Sequence, residues 1–213
     1  MIHAYDKMYL DKARTALGRM LDFAVYDLHY DIDEFFELFM ASGIARRFER
    51  GDATVLVGKS GVELVYEVER SVGKVNHIKP KYAANRSAEY WAGWALAYYQ
   101  WESALKFSEI VRCITIKDIV AMYSPYHEMD IRQFTDKMNG LYRLANPETN
   151  LKRLRKRVGF SQKELAECSE IPLRTIQQYE QRQKSINKAQ VMYAVMLAKA
   201  LGCEVADLME KIE

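Results

Sequence analysis

Apolar residues recur at helical spacing along most of this 213-residue chain, and this pattern limits the fold more than any other feature. The first helical segment carries Leu10, Ala13, Leu17, Met20, Leu21, Ala24 and Leu28 on one face. Further helices are predicted for residues 31–48, 60–72, 86–107, 115–123 and 131–145. The pattern predicts an all-α protein whose N-terminal part is a helical bundle.

A change of composition near residues 147–150 divides the chain into two parts. Proline and asparagine cluster in "NPETN", residues 146–150, as in a linker. Residues 1–150 hold 19 Lys and Arg against 21 Asp and Glu, whereas residues 151–213 hold 12 against 8. Such a concentration of positive charge is typical of a part that binds a polyanion. We expect a domain at 1–146, a linker at 147–150 and a second domain at 151–213.

Composition argues against several other classes of protein. The longest nearly apolar run, residues 91–99, is shorter than the ~20 residues of a transmembrane helix, and the N-terminus shows no secretory signal. The dispersed Cys113, Cys168 and Cys203 fit a reducing cytoplasm better than a disulfide framework. The sequence has no His/Cys cluster of the kind that binds zinc. We therefore expect a cytoplasmic protein that uses no metal and no cofactor.

Two adjacent helix signals lie within residues 161–182. Ser161-x-x-Glu164 is a capping box that starts one helix, and Pro172 fits the first position of a second helix over residues 172–182. Ile176 and Tyr179 are spaced to face a core. The positions left for solvent carry Leu173, Arg174, Gln177, Gln178 and Gln181. This polar face lacks the usual mixture of Glu and Lys and is therefore a candidate binding face.

This part of the chain resembles the helix-turn-helix domain of the Cro and phage-repressor family, the xenobiotic-response-element (XRE) type. The resemblance rests on "GFSQKELAECSEIPLRTIQQYE" at 159–180 and "LAKALGCEVADLME" at 197–210. It covers residues 151–213 and does not extend to the N-terminal part. It implies a five-helix, lambda-repressor-like domain that binds double-stranded DNA and places the second helix of the motif in the major groove. Within the last part, Asn187-x-x-Gln190 predicts a capped helix that ends at Leu201-Gly202.

The resemblance also assigns DNA-contacting residues. It places base contacts at Leu173, Arg174 and Gln178, with Gln177 beside them. These side chains suit the task, because arginine pairs bidentately with guanine, glutamine with adenine, and leucine can contact a thymine methyl group. The positions expected to contact phosphate are Gln162, Lys163, Thr175 and, after the recognition helix, Arg182 and Lys184.

One structural pair and two departures complete the resemblance. Members of the family often pair an arginine of the first helix with the glutamate at the position of Glu180, so Arg155 and Glu180 are expected to form a partly buried salt bridge. Pro172 replaces a Ser or Thr that would contact phosphate. The segment "QRQKSINKAQ", 181–190, is longer than usual, which leaves open which basic residue there reaches the DNA backbone.

Two stretches of the N-terminal part invite functional interpretations. In "GDATVLVGKSG", residues 51–61, six residues separate Gly51 from Gly58, whereas a phosphate-binding loop needs four. Lys59 is therefore interpreted as a solvated charge and Ser60 as a helix cap. The second stretch is an aromatic stripe that packs in the core or else forms a partner or ligand surface: Trp91, Trp94, Tyr98 and Trp101.

The combined observations predict a bacterial or phage transcriptional regulator, associated with the nucleoid, that binds an operator as a homodimer. Residues 1–146 have three open roles: dimerisation, masking of a toxin by an antitoxin that represses its own operon, or sensing of a small molecule. An enzyme tethered to DNA is not indicated, because no Ser/His/Asp or Cys/His arrangement is recognisable.

Overall fold

The structure, a computed structural model, describes residues 3–74, 78–81 and 86–212. Within these ranges the regular secondary structure is helical and contains no strand. The predicted all-α class is therefore confirmed. The chain divides into two compact units, Met1–Tyr142 and Arg143–Glu213.

The N-terminal unit starts with a 3₁₀ turn at Lys7–Tyr9 and continues as a series of helices. They are α1 (Leu10–Tyr26), α2 (Ile32–Ala41), α3 (Ile44–Glu49), α4 (Ala53–Leu56), α5 (Gly61–Ser71), α6 (Ala88–Ser103), α7 (Phe107–Ile110), α8 (Ile116–Ala121), α9 (Tyr123–Tyr126) and α10 (Ile131–Ala145). The division between the two units falls in the last turn of α10.

Helix α1 packs against α5 and α6, and glycines permit the close approach. A Cβ atom added to Gly93 of α6 would lie 2.6 Å from the carbonyl oxygen of Leu17 in α1. A Cβ atom on Gly61, the first residue of α5, would lie 2.5 Å from the carbonyl oxygen of Ala16. Both distances are much shorter than a van der Waals contact. Helices α5 and α6 can therefore pack this closely on α1 only because these two positions are glycines.

Four phenylalanines join α2, α3 and α7 in a second part of this core. Phe36, Phe39, Phe48 and Phe107 are at most 1% exposed. The ring of Phe107 is 5.5, 5.8 and 5.7 Å from the rings of Phe36, Phe39 and Phe48, respectively. Tilted and edge-to-face pairs at such distances add to the stabilisation from burial.

Two predicted helices end earlier than expected. The segment 31–48 is broken between α2 and α3, where Gly43 has a φ of 79°. The segment 86–107 ends at Ser103, because Ala104 adopts the left-handed conformation with a φ of 52°. The first break matches a glycine, whereas the second has no glycine or proline signal in the sequence.

Residues 51–61, whose sequence suggests a phosphate-binding loop, contain a short helix and the start of the next one. The short helix is α4, and Ser60 caps α5 as predicted, because its Oγ accepts the N–H of Glu63 at 3.3 Å. The interpretation of Lys59 as a solvated charge was wrong, because Lys59 forms an ion pair with Glu67.

The C-terminal unit contains five α-helices and a 3₁₀ turn at Ile186–Lys188 among its described residues. The helices are α11 (Asn150–Val158), α12 (Gln162–Ser169), α13 (Leu173–Glu180), α14 (Val191–Leu201) and α15 (Val205–Leu208). Each contributes to one core, formed by Leu151, Leu154, Leu165, Ile171, Ile176, Tyr179, Ile186, Leu197, Ala198, Leu201 and Leu208. Val158, the last residue of α11, lies outside this core and is 42% exposed.

Candidate nucleic-acid interface

The turn between α12 and α13 is defined by local backbone signals. Ser161 and Glu164 form the predicted capping box at the start of α12, with hydrogen bonds of 2.7 and 3.1 Å. Helix α12 ends at Ser169, because the next residue, Glu170, is left-handed with a φ of 54°, and Ile171 is then buried. Pro172 has an extended backbone, with a ψ of 131°. It therefore occupies the N-cap position before α13 instead of the first position inside the helix. The predicted helix 172–182 is therefore shorter and runs over Leu173–Glu180.

Helix α13 has a buried and an outward side. Ile176 is fully buried and Tyr179 is 7% exposed, as the spacing predicts. On the other side Leu173 is 37% exposed and Arg174 is exposed, while Gln177 and Gln178 are partly exposed. Four side chains assigned to base contact thus share the outward side of one short helix.

A buried ion pair stabilises the position of α13 on the side that faces the protein core. Arg155 Nε donates to Glu180 Oε1 at 2.6 Å, and Arg155 Nη2 donates to Glu180 Oε2 at 3.0 Å. The hydrogen bond with Glu180 raises the pKa of Arg155 above its usual value. Arg155 Nη1 also donates to the carbonyl of Phe160 at 2.6 Å, so the guanidinium links α11, the following turn and α13.

Gln162, assigned to phosphate contact, takes part in the same cluster. Its side-chain Nε2 donates to Glu180 Oε2 at 2.8 Å, which connects the start of α12 to the end of α13. The Glu180 carboxylate therefore accepts hydrogen bonds from two residues on two other helices. The sequence motif predicts the Arg155 partner but carries no signal for the Gln162 contact.

The other residues assigned to phosphate contact lie in different environments. Lys163 and Lys184 are exposed, Thr175 is partly exposed, and Lys163 Nζ is 4.0 Å from Glu167 on its own helix. The guanidinium of Arg182 instead faces the segment that precedes α11. It donates to the carbonyls of Pro147 at 2.8 Å and Asn146 at 3.2 Å. This contact was not expected from the sequence.

The prediction that Asn187 caps a helix was wrong. Asn187 lies in the 3₁₀ turn, and α14 starts at Val191 after Gln190, which makes no capping hydrogen bond through its side chain. The Asn187 amide instead pairs with the backbone of Glu210: its Nδ2 donates to the carbonyl at 2.6 Å, and its Oδ1 accepts from the N–H at 2.8 Å. Asn187 thereby connects the segment after α13 to the segment after α15.

The comparison with protein families agrees with this architecture. Residues 151–208 match a family model described as helix-turn-helix. Residues 151–208 form a helix-turn-helix domain of the XRE family. A domain of this family supports a DNA-binding regulator of the XRE type. No curated protein and no solved structure matches the chain.

Outside the helix-turn-helix domain, the aromatic stripe of α6 is divided between core and surface. Trp91 is 8% exposed and contacts Tyr123 and Phe134 edge to face, and Trp101 is 5% exposed and stacks on His3. Trp94 and Tyr98 are partly exposed. The guanidinium carbon of Arg14 lies 3.3 Å from the ring centre of Trp94 and 4.9 Å from that of Tyr98.

A cavity of about 250 Å³ lies beside this stripe. Trp91 and Trp94 line it, together with Arg86, Ser87, Tyr90, Tyr123 and His127. His127 is stacked on Tyr123 at 4.0 Å, and the guanidinium of Arg86 lies 4.8 Å from the ring of Tyr90. The cavity is therefore mostly aromatic, with one cationic side chain at its edge.

Two further features bear on the choice of function. Within the described part of the chain, no group of three His, Cys, Asp or Glu side chains is placed to hold a metal ion. In the same residues, every helix is too short or too polar to cross a bilayer.

Proposed function

We propose that this chain is a transcriptional regulator that recognises a specific operator through the outward side of α13. The proposal rests on the state of α13, which an ion pair holds in place and whose outward side chains offer hydrogen-bonding groups to solvent. In residues 3–74, 78–81 and 86–212, the side chains of Arg174, Gln177 and Gln178 find no hydrogen-bond partner, whereas Glu180 at the other end of α13 is held by Arg155. Donors and acceptors presented in this way suit the base edges of a major groove.

Residues around α13 supply the sequence-independent part of binding. Lys163 and Lys184 are exposed and positively charged, and Thr175 presents a hydroxyl group at the surface. Contacts of such groups with phosphate position a recognition helix, while the base contacts supply specificity. Arg182 contributes to this function indirectly, because it holds the carbonyls of Asn146 and Pro147 next to the domain.

The active form in this proposal is a homodimer, and the surface of α14 supports it. Val191, Met192 and Val195 are 79, 65 and 45% exposed on this helix. A contiguous apolar face that remains in water favours association with a second copy. A two-fold dimer would present two copies of α13 to successive major grooves, about 34 Å apart.

Selection from a random duplex library tests the operator proposal. The full chain is incubated with the library, and the retained DNA is sequenced. We expect an enriched inverted repeat whose half-sites are about one helical turn apart. Retention of DNA without any enriched sequence would show that the domain binds DNA without reading it. Light scattering of Val195→Lys against the unchanged chain tests the dimer, and equal masses for the two would exclude the α14 interface.

Narrower roles concern the N-terminal unit. The cavity beside α6 favours sensing of a small molecule, because aromatic-lined concavities are the usual form of such sites. Autorepression as the antitoxin of a toxin–antitoxin operon is the other version, in which this unit masks a protein partner. Co-purification with the product of the neighbouring gene, combined with operator binding upstream of both genes, would support the antitoxin. The proposal assigns no catalytic activity to the chain.

A further inference from the structure

A second, larger cavity of the N-terminal unit has the composition of an anion site. It has a volume of about 480 Å³ and is lined by charged and polar side chains together with the apolar Met40, Ala45, Ala104 and Leu105. Arg46 and Glu49 lie on α3, Arg50 follows it, and Lys106 and Ser108 lie at the start of α7. Its volume falls within the roughly 300–1,000 Å³ that small-molecule sites occupy.

The charges at this cavity do not balance. Arg46, Arg50 and Lys106 supply three positive charges, against the single carboxylate of Glu49. Within the described residues, none of these cations has a carboxylate oxygen within 4.0 Å. The Glu49 carboxylate already accepts the N–H of Phe107 at 2.6 Å, and burial raises its pKa. Glu109, whose side chain accepts the N–H of Lys106 at 2.8 Å, is a second carboxylate, and its charge reaches Glu49. Three cations therefore face two carboxylates, and one positive charge is left uncompensated.

The neighbouring Arg47 shows that this lack of partners is selective. Arg47 donates to Asp52 at 2.8 Å, to Glu67 at 3.3 Å and to Thr54 at 2.7 Å. By contrast, the side chains of Arg46 and Arg50 are exposed beside the cavity and form no hydrogen bond or ion pair within 4.0 Å among the residues that the structure describes.

Gln100 adds a neutral polar group to the lining. Its side chain is 1% exposed, and its Nε2 donates to the carbonyl of Leu105 at 3.3 Å. Its Oε1 is buried without a hydrogen-bond partner in the described part of the chain. Buried acceptors in native structures are normally satisfied, so an unpaired one beside a cavity indicates a missing donor.

We propose that this cavity binds a phosphate monoester of a small metabolite. Such a group carries a charge near −2 at neutral pH and offers several acceptor oxygens, which match the surplus of cationic donors on Arg46, Arg50 and Lys106. A hydroxyl or amino group on the organic part of the ligand donates to Gln100 Oε1 after a side-chain rotation brings this buried oxygen to the cavity surface. This inference goes beyond operator binding and is tested without DNA, so either one can fail without the other.

Calorimetric titration of the full chain tests the proposal. The probes are glucose 6-phosphate, ribose 5-phosphate and AMP, each compared with glucose, ribose or adenosine, together with inorganic phosphate and succinate. We expect at least one ester to bind as one molecule per chain, and its non-phosphorylated counterpart to show no heat of binding. Arg50→Gln and Lys106→Gln should each weaken the ester about tenfold or more, because each removes a charge-assisted contact.

Two controls separate this site from general charge effects. Arg70→Gln removes an exposed arginine of α5 that lies outside the cavity lining and should leave the affinity unchanged. Gln100→Leu should weaken the ester but not inorganic phosphate, and circular dichroism checks that it folds. The proposal is wrong if no ester binds, if succinate binds and the esters do not, or if Arg70→Gln weakens binding as much as Arg50→Gln.

Discussion

Arg155 and Glu180 lie 25 positions apart, and their side chains meet through two hydrogen bonds inside the helix-turn-helix domain. The side chain of Arg155 is 10% exposed and that of Glu180 is 2% exposed. Because Glu180 also accepts from Gln162, this one carboxylate connects α13 to both α11 and α12. The orientation of α13 therefore depends on an ion pair on the side opposite to its exposed side chains.

Arg155→Ala is expected to destabilise the C-terminal unit by about 3–5 kcal/mol, because it leaves a carboxylate buried without its cation. Hydrogen exchange of peptides from α11 and α13 measures this loss in the full chain. Arg157→Ala provides the matched control, since Arg157 is exposed on the same helix and its removal should change the free energy by less than about 0.5 kcal/mol. Similar exchange rates in the two variants would mean that the ion pair does not brace the domain.

A second prediction concerns the contact between α1 and α6. Gly93→Ala should destabilise the N-terminal unit by about 1–3 kcal/mol, because the new methyl group would clash with backbone atoms of α1. Backbone atoms, unlike a side chain, cannot move aside by changing rotamer. Gly140→Ala in α10 is the counterpart. A Cβ atom there has no neighbour within 4 Å, and alanine should stabilise the helix by about 0.5–1 kcal/mol. Thermal unfolding followed by circular dichroism compares them, and equal shifts would exclude the close packing of α1 and α6.

The sequence predicts features whose causes are local. The Ser161 capping box and the burial of Ile176 and Tyr179 depend on residues three or four positions apart, and each is present in the structure. The break at Ala104 was missed, because alanine gives no signal for a left-handed conformation and tertiary packing overrides its helix propensity.

Contacts between distant segments were also missed. The partner of Arg182 is the backbone near Pro147, and the partner of Asn187 is the backbone of Glu210. Backbone carbonyls are present at every residue, so a side chain that binds them leaves no complementary residue in the sequence. The roles of Arg174 and Gln178 in base contact came from the family resemblance, because the chemistry of arginine and glutamine alone also fits a solvated surface.

Acid should reduce the contribution of the Asp52 carboxylate, which caps α4, to the free energy of unfolding, and should do so over a narrow pH range. Hydrogen bonds from Thr54 and Arg47 lower the pKa of Asp52 from 3.8 to about 2. Because the pKa is lower in the folded chain, the Asp52 contribution is complete above pH ~4 and is lost as the pH falls through about 2. The difference in the free energy of unfolding between the unchanged protein and the Asp52→Asn variant should decrease across that pH range. A carbon-13 NMR titration of the Asp52 carboxyl group gives its pKa directly, and a midpoint near 4 would contradict the prediction.

Lys163→Ala should weaken binding to every duplex sequence by a similar factor, because a phosphate contact carries no sequence information. The slope of the logarithm of affinity against the logarithm of salt concentration should fall by about one. Lys199→Ala is the control, since Lys199 is exposed on α14 and is not among the residues assigned to phosphate contact. An unchanged slope would remove Lys163 from the DNA contacts.

Arg174→Ala should separate recognition from general affinity. Arginine pairs bidentately with guanine, so its loss should cost about 1–3 kcal/mol on the selected operator and much less on random duplex DNA. Arg70→Ala, which removes an exposed arginine from the N-terminal unit, should change neither affinity appreciably. Fluorescence anisotropy with both duplexes at one salt concentration measures the two costs. Because the side chain of Arg174 is exposed and forms no hydrogen bond or ion pair with another described residue, the variant should also unfold at the same temperature as the unchanged protein. Equal losses on the operator and on random DNA would show that Arg174 contacts phosphate and that another residue of α13 reads the base.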